Sequence, residues 1–209
     1  MAVNPNNKHK PRHALFIAAT GGGKSVLVRQ KLKEQRKKRL TIYWDTNQEH
    51  QATYYSDRKS FLLALKSAVG KHQALAYAPA VPTPDGWQWF CRAVWAVLDG
   101  NTETLVIAEE LAAVCSTAGK AQDSAGILIN QGRKYGLIFW ATSQRPQEIS
   151  KTYYDNAAYL YVGLQRGKAM QRKMSEEVGI NVAQIARLQP LEFYESAPAS
   201  QPKLIKARF

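Results

Sequence analysis

The chain has 209 residues, of which 45% are hydrophobic, and it carries 29 Lys and Arg against 16 Asp and Glu, a net charge of +13. A chain of this size forms one sizeable hydrophobic core, and its charge favours a polyanionic partner, nucleic acid before an anionic membrane. No apolar run approaches the ~20 residues that span a bilayer, and the spacing of Cys91 and Cys115 matches no metal site, so we expect neither a membrane anchor nor a cysteine-ligated metal.

The first segment, residues 1–13, is polar and basic and contains two prolines, which predicts a flexible N-terminal arm. Its Lys8, Lys10 and Arg12 either contact phosphates or belong to a solvated tail. We expect residues 14–209 to form one domain, with the core motifs in 14–164 and further helices and short strands after them.

The stretch 14–31, ALFIAATGGGKSVLVRQK, predicts a strand, a glycine-rich loop and a helix that together bind phosphate. Consecutive glycines allow positive φ and a close approach of backbone N–H groups to an anion, and the helix N-terminus adds further donors. We expect Lys24 to reach the β- and γ-phosphates and the Ser25 hydroxyl to ligate Mg²⁺. The residues assigned to nucleotide binding are Thr20, Gly21, Gly22, Gly23, Lys24, Ser25 and Val26.

One position departs from the phosphate-loop pattern GxxxxGK[ST], because Ala18 stands where the pattern has glycine. The alternative interpretation is a glycine-rich turn between strand and helix, with Lys24 a solvated residue of the first helical turn.

We expect the helix to continue to about Lys38, where a basic run suits the dipole of a helix C-terminus.

Hydrophobic patterning after the phosphate loop predicts strands over 40–44 and 74–77 and helices over 57–69 and 85–98. Asp45 follows the first of these strands, at the end where parallel sheets place ligand contacts. Asp45 is therefore either a ligand contact or the first residue of a turn. The aromatic residues of the second helix are assigned to the core.

Residues 104–110, TLVIAEE, predict a buried strand that delivers two carboxylates to the phosphate loop. In nucleotide hydrolases of this type the first acid holds the Mg²⁺ shell and the second polarises the attacking water. Glu109 is therefore the expected metal residue, although aspartate is usual there, and Glu110 is the expected catalytic acid. The alternative is that two glutamates follow a strand by chance.

A helix over 121–134 leads into a buried strand over 136–142, which ends beside Gln144 and Arg145. An amide at the tip of a strand between the phosphate loop and the acidic strand would hydrogen-bond both the γ-phosphate and the attacking water. Gln144 is therefore a candidate sensor. For Arg145 the sequence leaves three partners open: phosphate, an acid or a neighbouring subunit.

Three segments carry a family resemblance: ATGGGKS, TLVIAEELAAV and GRKYGLIFWATSQRP, in this order along the chain. They resemble the FtsK–HerA superfamily of DNA-pumping ATPases, and within it the genome-packaging ATPases of tailless, membrane-containing icosahedral viruses. The resemblance covers about residues 14–163. It implies an α/β, three-layer RecA-like (ASCE) core with a mostly parallel sheet, a ring that is usually a hexamer, and ATP-driven movement of double-stranded DNA through the ring.

The resemblance also implies roles for individual residues. Gly21, Gly23, Lys24 and Ser25 match the nucleotide loop, Glu110 the catalytic acid, and Gln144 the polar sensor. Arg133 matches an arginine finger that reaches the nucleotide of a neighbouring subunit. The alternative for Arg133 is that it complements the C-terminal dipole of its own helix.

The remaining chain predicts a fifth core strand over 158–164 and a basic amphipathic helix over 165–179. Cations on this helix either contact DNA or a partner or form a solvated face; they are Lys168, Arg172 and Lys173. The tail either forms an edge hairpin with residues 191–194 or docks on a viral shell.

Three functions stay open from the sequence alone. The motif order, Glu110 and the basic charge favour a ring ATPase that uses ATP and Mg²⁺ to package double-stranded viral DNA into a preformed capsid, without DNA sequence specificity. The alternatives are an ATP-dependent phage assembly factor that does not pump DNA and a P-loop kinase, which would carry an arginine-bearing lid. For the packaging ATPase we expect portal or viral membrane proteins as further partners, and a location in the host cytoplasm or at the packaging vertex.

Overall fold

The computed structural model describes residues 1–35 and 39–209, and its core is a nine-stranded sheet. The central strands are continuous apolar runs, as expected in a sheet covered on both faces. The strands are β1 Ala14–Ile17, β2 Leu40–Trp44, β3 Thr53–Tyr55, β4 Ala74–Tyr77, β5 Thr104–Ala108, β6 Leu137–Ser143, β7 Tyr159–Val162, β8 Glu192–Ser196 and β9 Lys203–Lys206.

The strand order is β3-β4-β2-β5-β6-β1-β7-β8-β9. The pairs from β3 to β7 are parallel, and β8 and β9 add to them in antiparallel fashion. β6 lies between β1, which leads into the phosphate loop, and β5, which leads into the acids. The carboxyl ends of these parallel strands meet at one edge of the sheet, which we call the carboxyl edge, and the opposite edge is the amino edge. This arrangement confirms the predicted α/β P-loop fold.

Helices cover both faces of the sheet. Leu27 and Val28 of α1 pack on one face with Phe16, whereas the buried residues of α2 to α7 pack on the other face with Leu15 and Ile17. The helices are α1 Lys24–Glu34, α2 Arg58–Ala68, α3 Pro84–Val97, α4 Asp123–Gln131, α5 Lys151–Asn156, α6 Lys168–Val178 and α7 Val182–Ala186. Short 3₁₀ helices span Leu111–Val114, Gly132–Tyr135 and Pro146–Glu148.

Side-chain caps explain where two of these helices begin. The Asp57 carboxylate accepts a hydrogen bond from the Ser60 N–H at 2.8 Å, which caps α2. The Thr83 hydroxyl accepts one from the Gly86 N–H at 3.0 Å at the start of α3, where Pro84 suits the first helical turn.

Several elements differ from the predicted ones. β3, α5 and α7 are new, and α6 begins three residues later than expected. The tail forms the antiparallel hairpin of β8 and β9 beside β7, which is the edge-hairpin alternative. α1 is described to Glu34, and its predicted end near Lys38 lies outside the described residues.

The N-terminal arm lies against the amino edge of the sheet. The Val3 N–H donates to the Leu98 carbonyl at 3.2 Å, the Asn6 N–H donates to the Lys134 carbonyl at 2.7 Å, and the Arg12 guanidinium is paired with a carboxylate. These contacts fix a path for the arm, whose flexibility stays a prediction. Across residues 1–35 and 39–209, we find no helix with the length and apolar character of a membrane span.

Candidate nucleotide site

The glycine-rich loop at the end of β1 has a shape that side chains would prevent. Gly21 and Gly23 have φ angles of +75° and +96°, in the left-handed region that favours glycine. A Cβ on Gly22 would lie 2.8 Å from the Cβ of Ala18. The Ala18 methyl group is fully buried against Gly22 and Gly163. Because these two glycines have no side chains, the loop has space for a methyl group at the position where the usual pattern has glycine.

Lys24 opens α1 and is almost buried, with an exposed fraction of 9%. Its Nζ donates a hydrogen bond to the Ala18 carbonyl at 3.0 Å and lies 3.8 Å from Oε1 of Glu110. Burial lowers the pKa of Lys24, and the charge of Glu110 opposes that shift. The ammonium group therefore lies inside the loop, next to the predicted catalytic acid, and not in a solvated first turn.

Glu110 follows β5 and takes a left-handed backbone conformation with φ of +50°. Its N–H donates to the Thr142 hydroxyl at 3.1 Å. The Nε2 group of Gln144 donates to Oε1 of Glu110 at 2.8 Å, and the Gln144 N–H donates to Oε2 at 3.3 Å. The Thr20 hydroxyl in turn donates to Oε1 of Gln144. The structure thus joins the phosphate loop, the predicted sensor and the predicted catalytic acid in one hydrogen-bonded chain.

Glu109 is the neighbour of Glu110 but is held differently. Its side chain is 5% exposed. Oε1 is 2.7 Å from Nε2 of His50, and Oε2 accepts a hydrogen bond from the Thr142 hydroxyl at 2.5 Å. The His50 ring stacks on Tyr43 with ring centroids 4.4 Å apart. Both carboxylate oxygens of Glu109 are therefore bonded within the protein, and its predicted place in a metal shell stays a prediction.

The loop after β2 supplies site residues that the sequence did not reveal. The Ser25 hydroxyl, predicted to ligate Mg²⁺, donates to Oε2 of the exposed Glu49 at 2.6 Å. Asp45 is fully buried and accepts hydrogen bonds from the Tyr54 hydroxyl at 2.7 Å and from the His50 N–H at 3.2 Å. In this structure Asp45 holds the loop that carries Glu49 and His50 over the start of α1.

The two candidate arginine fingers lie at opposite edges of the sheet. Arg133 precedes β6 at the amino edge, where its Nη1 donates to the His9 carbonyl at 2.6 Å. Arg145 follows β6 at the carboxyl edge, with a side chain that is 68% exposed and 3.3 Å from Glu148. The length of β6 therefore separates Arg133 from the nucleotide loop of its own subunit, and a finger role for either arginine stays a prediction.

A cavity of about 480 Å³ lies over the phosphate loop at the carboxyl edge. Its volume is in the range of natural small-molecule sites. Predicted nucleotide, metal and catalytic residues line most of it: Thr20, Gly21, Gly23, Lys24, Ser25, Val26, Glu109, Glu110 and Gln144. Residues that sequence reasoning missed complete the wall: Asn47, Glu49, Pro190, Leu191 and Phe209. The local sequence has no signal for these because they reach the loop only through the tertiary fold.

Comparison with known proteins identifies the family. No family model matches the chain. Protein P9 of Pseudoalteromonas phage PM2 is 31% identical to it over 179 residues, which cover 85% of this chain and 79% of that protein. The chain belongs to the family of phage PM2 Protein P9.

Solved structures of nucleotide-dependent proteins share the fold of this chain. The genome packaging NTPase B204 of Sulfolobus turreted icosahedral virus 2, in complex with AMPPCP, superposes with a TM-score of 0.73 at 16% identity, covering 96% of this chain and 100% of B204. VirB4 of Thermoanaerobacter pseudethanolicus superposes with a TM-score of 0.67 at 11% identity, covering 94% of this chain and 89% of VirB4. At these identities the likeness establishes the fold of the Protein P9 family member described here.

Proposed function

We propose that this protein is an ATP-hydrolysing motor that moves double-stranded DNA into a preformed viral capsid. The observation that carries the proposal is the Glu110 carboxylate, which Gln144 holds 3.8 Å from Lys24 at the wall of the phosphate-loop cavity. A carboxylate beside a phosphate loop suits a general base that polarises the attacking water. The fold is shared with a viral genome packaging NTPase that was solved with AMPPCP.

ATP would bind with its phosphates on the N–H groups of the phosphate loop and the start of α1. Lys24 would exchange its hydrogen bond to the Ala18 carbonyl for the β- and γ-phosphates, because a phosphate oxygen is a stronger acceptor than a carbonyl. That movement would also free the carboxylate of Glu110. Val26, next along α1, would contact the nucleotide beyond the phosphates.

The donors beside the phosphate loop fit a magnesium ion, which takes hard oxygen ligands. The Ser25 hydroxyl and the Glu49 carboxylate lie 2.6 Å apart on the cavity wall, and we assign them to the ion. Glu109 remains a predicted metal residue. Because its two oxygens are bonded to His50 and Thr142, it would orient groups around the ion and not bind the ion directly. When bound, the ion would neutralise charge on the β- and γ-phosphates.

In the hydrolytic step the water oxygen would bond to the γ-phosphorus while the bond to the β–γ bridging oxygen breaks and ADP leaves. Glu110 would accept a proton from the water, and Gln144 would hold the carboxylate and the water in position. A guanidinium from the next subunit, Arg133 or Arg145, would stabilise the charge of the transition state. Because an arginine of the neighbouring subunit would complete each site, hydrolysis would require an assembled ring, which we propose to be a hexamer.

The net charge of +13 suits contacts to the DNA backbone that carry no sequence information. A viral portal or membrane protein, at the packaging vertex or reached from the host cytoplasm, would anchor the ring.

The experiment is ATPase activity measured against protein concentration, DNA and salt. We expect activity per subunit to rise with protein concentration, to increase with double-stranded DNA of any sequence, and to lose that stimulation steeply as salt rises. Hydrolysis that ignores DNA at every concentration would instead indicate an assembly factor. Phosphate transfer to a metabolite would indicate a kinase.

A further inference from the structure

The phosphate-loop cavity adjoins a second cleft of about 630 Å³ along α1. Val26 and Phe209 line both spaces. The remaining lining of the cleft comes from one side of α1 and from the residue before Phe209: Arg29, Gln30, Lys33, Glu34 and Arg208. A ligand with its phosphates on the loop therefore has room to extend past Val26 and along α1.

Two segments of the C-terminal region form one wall beside the phosphate loop and this cleft. The Leu191 N–H donates to the Gly22 carbonyl at 3.1 Å, and the Ala207 N–H donates to the Leu191 carbonyl at 2.8 Å. The Arg208 N–H donates to Oε1 of Gln30 at 2.9 Å. These bonds hold the residues before β8 and after β9 against the phosphate loop and α1.

The fit at this wall is close. A Cβ on Gly23 would lie 2.6 Å from Cδ2 of Leu191, so the loop glycine is needed for the contact as well as for its positive φ. Leu191 itself has a φ of +70°, an unfavourable conformation for a branched side chain. Strained backbone of this kind persists where surrounding contacts fix it, and it is found at ligand sites.

The lining of the phosphate-loop cavity combines two kinds of groups. Charged and polar side chains, among them Lys24 and Glu110, line it together with the apolar side chains of Val26, Pro190 and Leu191. Phe209 lines both this cavity and the cleft along α1, and the residue is 94% exposed. A nucleoside triphosphate combines the same two properties, with a charged tail and a flat aromatic base.

We propose that Phe209, with the apolar side chains of Val26, Pro190 and Leu191, forms the nucleobase subsite of this protein. The base stacks on the Phe209 ring, and the C-terminal segments thereby take part in nucleotide binding. The inference rests on the proposed function, since it needs a nucleoside triphosphate on the phosphate loop. It adds a residue that the phosphate-loop motifs do not reach.

The test compares a ligand that has a base with one that lacks it. Binding of a non-hydrolysable ATP analogue and of inorganic tripolyphosphate, each with Mg²⁺, is measured by calorimetry for the wild type, Phe209→Ala and Phe209→Trp. Because stacking of a base on an aromatic ring contributes roughly fivefold or more to affinity, we expect Phe209→Ala to lower the affinity for the ATP analogue by at least about fivefold. The affinity of Phe209→Ala for tripolyphosphate should equal that of the wild type. Phe209→Trp should keep the wild-type affinity for the ATP analogue.

The matched control is Leu204→Ala, which removes an apolar side chain that is 56% exposed on β9 and lines neither space. It should leave both affinities unchanged. An unchanged affinity of Phe209→Ala for the ATP analogue, or an equal loss for both ligands, would overturn the subsite. A wild type that binds neither ligand would overturn the proposed function itself, so the two failures are distinguishable.

Discussion

The two edges of the central sheet carry similar groups in different states. At the amino edge, Arg12 and Arg39 are paired with Glu103, and Arg133 is bonded to the backbone of the arm. At the carboxyl edge, Lys24 is close to Glu110 and hydrogen-bonded to a single carbonyl, with a cavity of about 480 Å³ beside it.

The difference shows what separates a structural ion pair from a site. Cations and carboxylates occur at both edges, so charge alone does not mark function. What the carboxyl edge adds is a glycine-rich backbone that leaves space for an anion and donors aimed into that space. The amino edge has a smaller cavity, of about 280 Å³, which is lined by His9 of the N-terminal arm and by the ion-paired Arg39 and Glu103.

The largest expected effect is on ATP turnover, and it concerns Arg133. Arg133 belongs to the amino edge of its own subunit but is the predicted finger for a neighbour's carboxyl edge. We expect Arg133→Ala to lower ATP turnover by about 10³- to 10⁵-fold with nucleotide affinity unchanged. Single-turnover kinetics and equilibrium binding measure the two quantities.

The matched variant is Arg145→Ala, at the carboxyl edge. If Arg145→Ala loses turnover and Arg133→Ala does not, the finger is Arg145. Equal loss of binding and turnover in Arg133→Ala would contradict a finger role. Thermal unfolding of each variant checks whether the loss of the His9 contact has destabilised the fold.

The next effect separates two adjacent acids at the carboxyl edge. We expect Glu110→Gln to lower turnover by about 10²- to 10⁴-fold, because the amide does not accept the proton of the attacking water. We expect this variant to lose less stability than Glu109→Gln, since the Glu110 side chain is 30% exposed whereas that of Glu109 is buried. Glu109→Gln should instead lower the free energy of unfolding by about 1–3 kcal/mol, because a buried partner of His50 or Thr142 is lost.

Urea unfolding and turnover of the same two variants decide between these roles. The roles assigned to the two acids are contradicted if Glu110→Gln is the less stable protein while Glu109→Gln keeps its stability and loses turnover. In that case Glu109, rather than Glu110, would be the group next to the reacting atoms.

Much of the core was predictable because its signals are local. Continuous apolar runs ending in GGGKS, EE and SQ mark strands whose functional residues follow them directly, and the observed order of β5, β6 and β1 brings those ends together. β3 and α7 were missed because three and five residues give too little periodicity.

The missed site residues share a different cause. His50 meets Glu109 across 59 positions in sequence, and Arg208 meets Gln30 across 178. Nothing in the residues around Glu49 indicates that its loop folds back over the start of α1. The arm was assigned from its composition, and the pairing of its Arg12 with Glu103 depends on the same long-range packing.

The smallest effect tests how the amino edge is held. His13 is 5% exposed, and its Nδ1 accepts a hydrogen bond from the Phe139 N–H at 3.1 Å. Burial, with a smaller contribution from the charge of Arg133, lowers the pKa of His13 to about 4. In an unfolded chain the value is about 6.5. Between these values the unfolded state binds the proton and the folded state does not, so stability falls as pH drops from about 6.5 to about 4.

A shift of this size corresponds to about 3 kcal/mol of unfolding free energy, present in full above about pH 6.5 and lost by about pH 4. Urea unfolding at stepped pH measures it. His13→Asn should flatten the pH dependence of the unfolding free energy in that window. The control His72→Asn, at an exposed position, should keep the dependence of the wild type. Carboxylates are the same in all three proteins, so they do not account for a difference between the curves. Parallel curves for the wild type and His13→Asn would mean that the buried imidazole does not govern the acid sensitivity of this edge. A flattened curve would show that the arm is held against the sheet by a histidine that stays neutral, in contrast to the charged lysine and acid at the carboxyl edge.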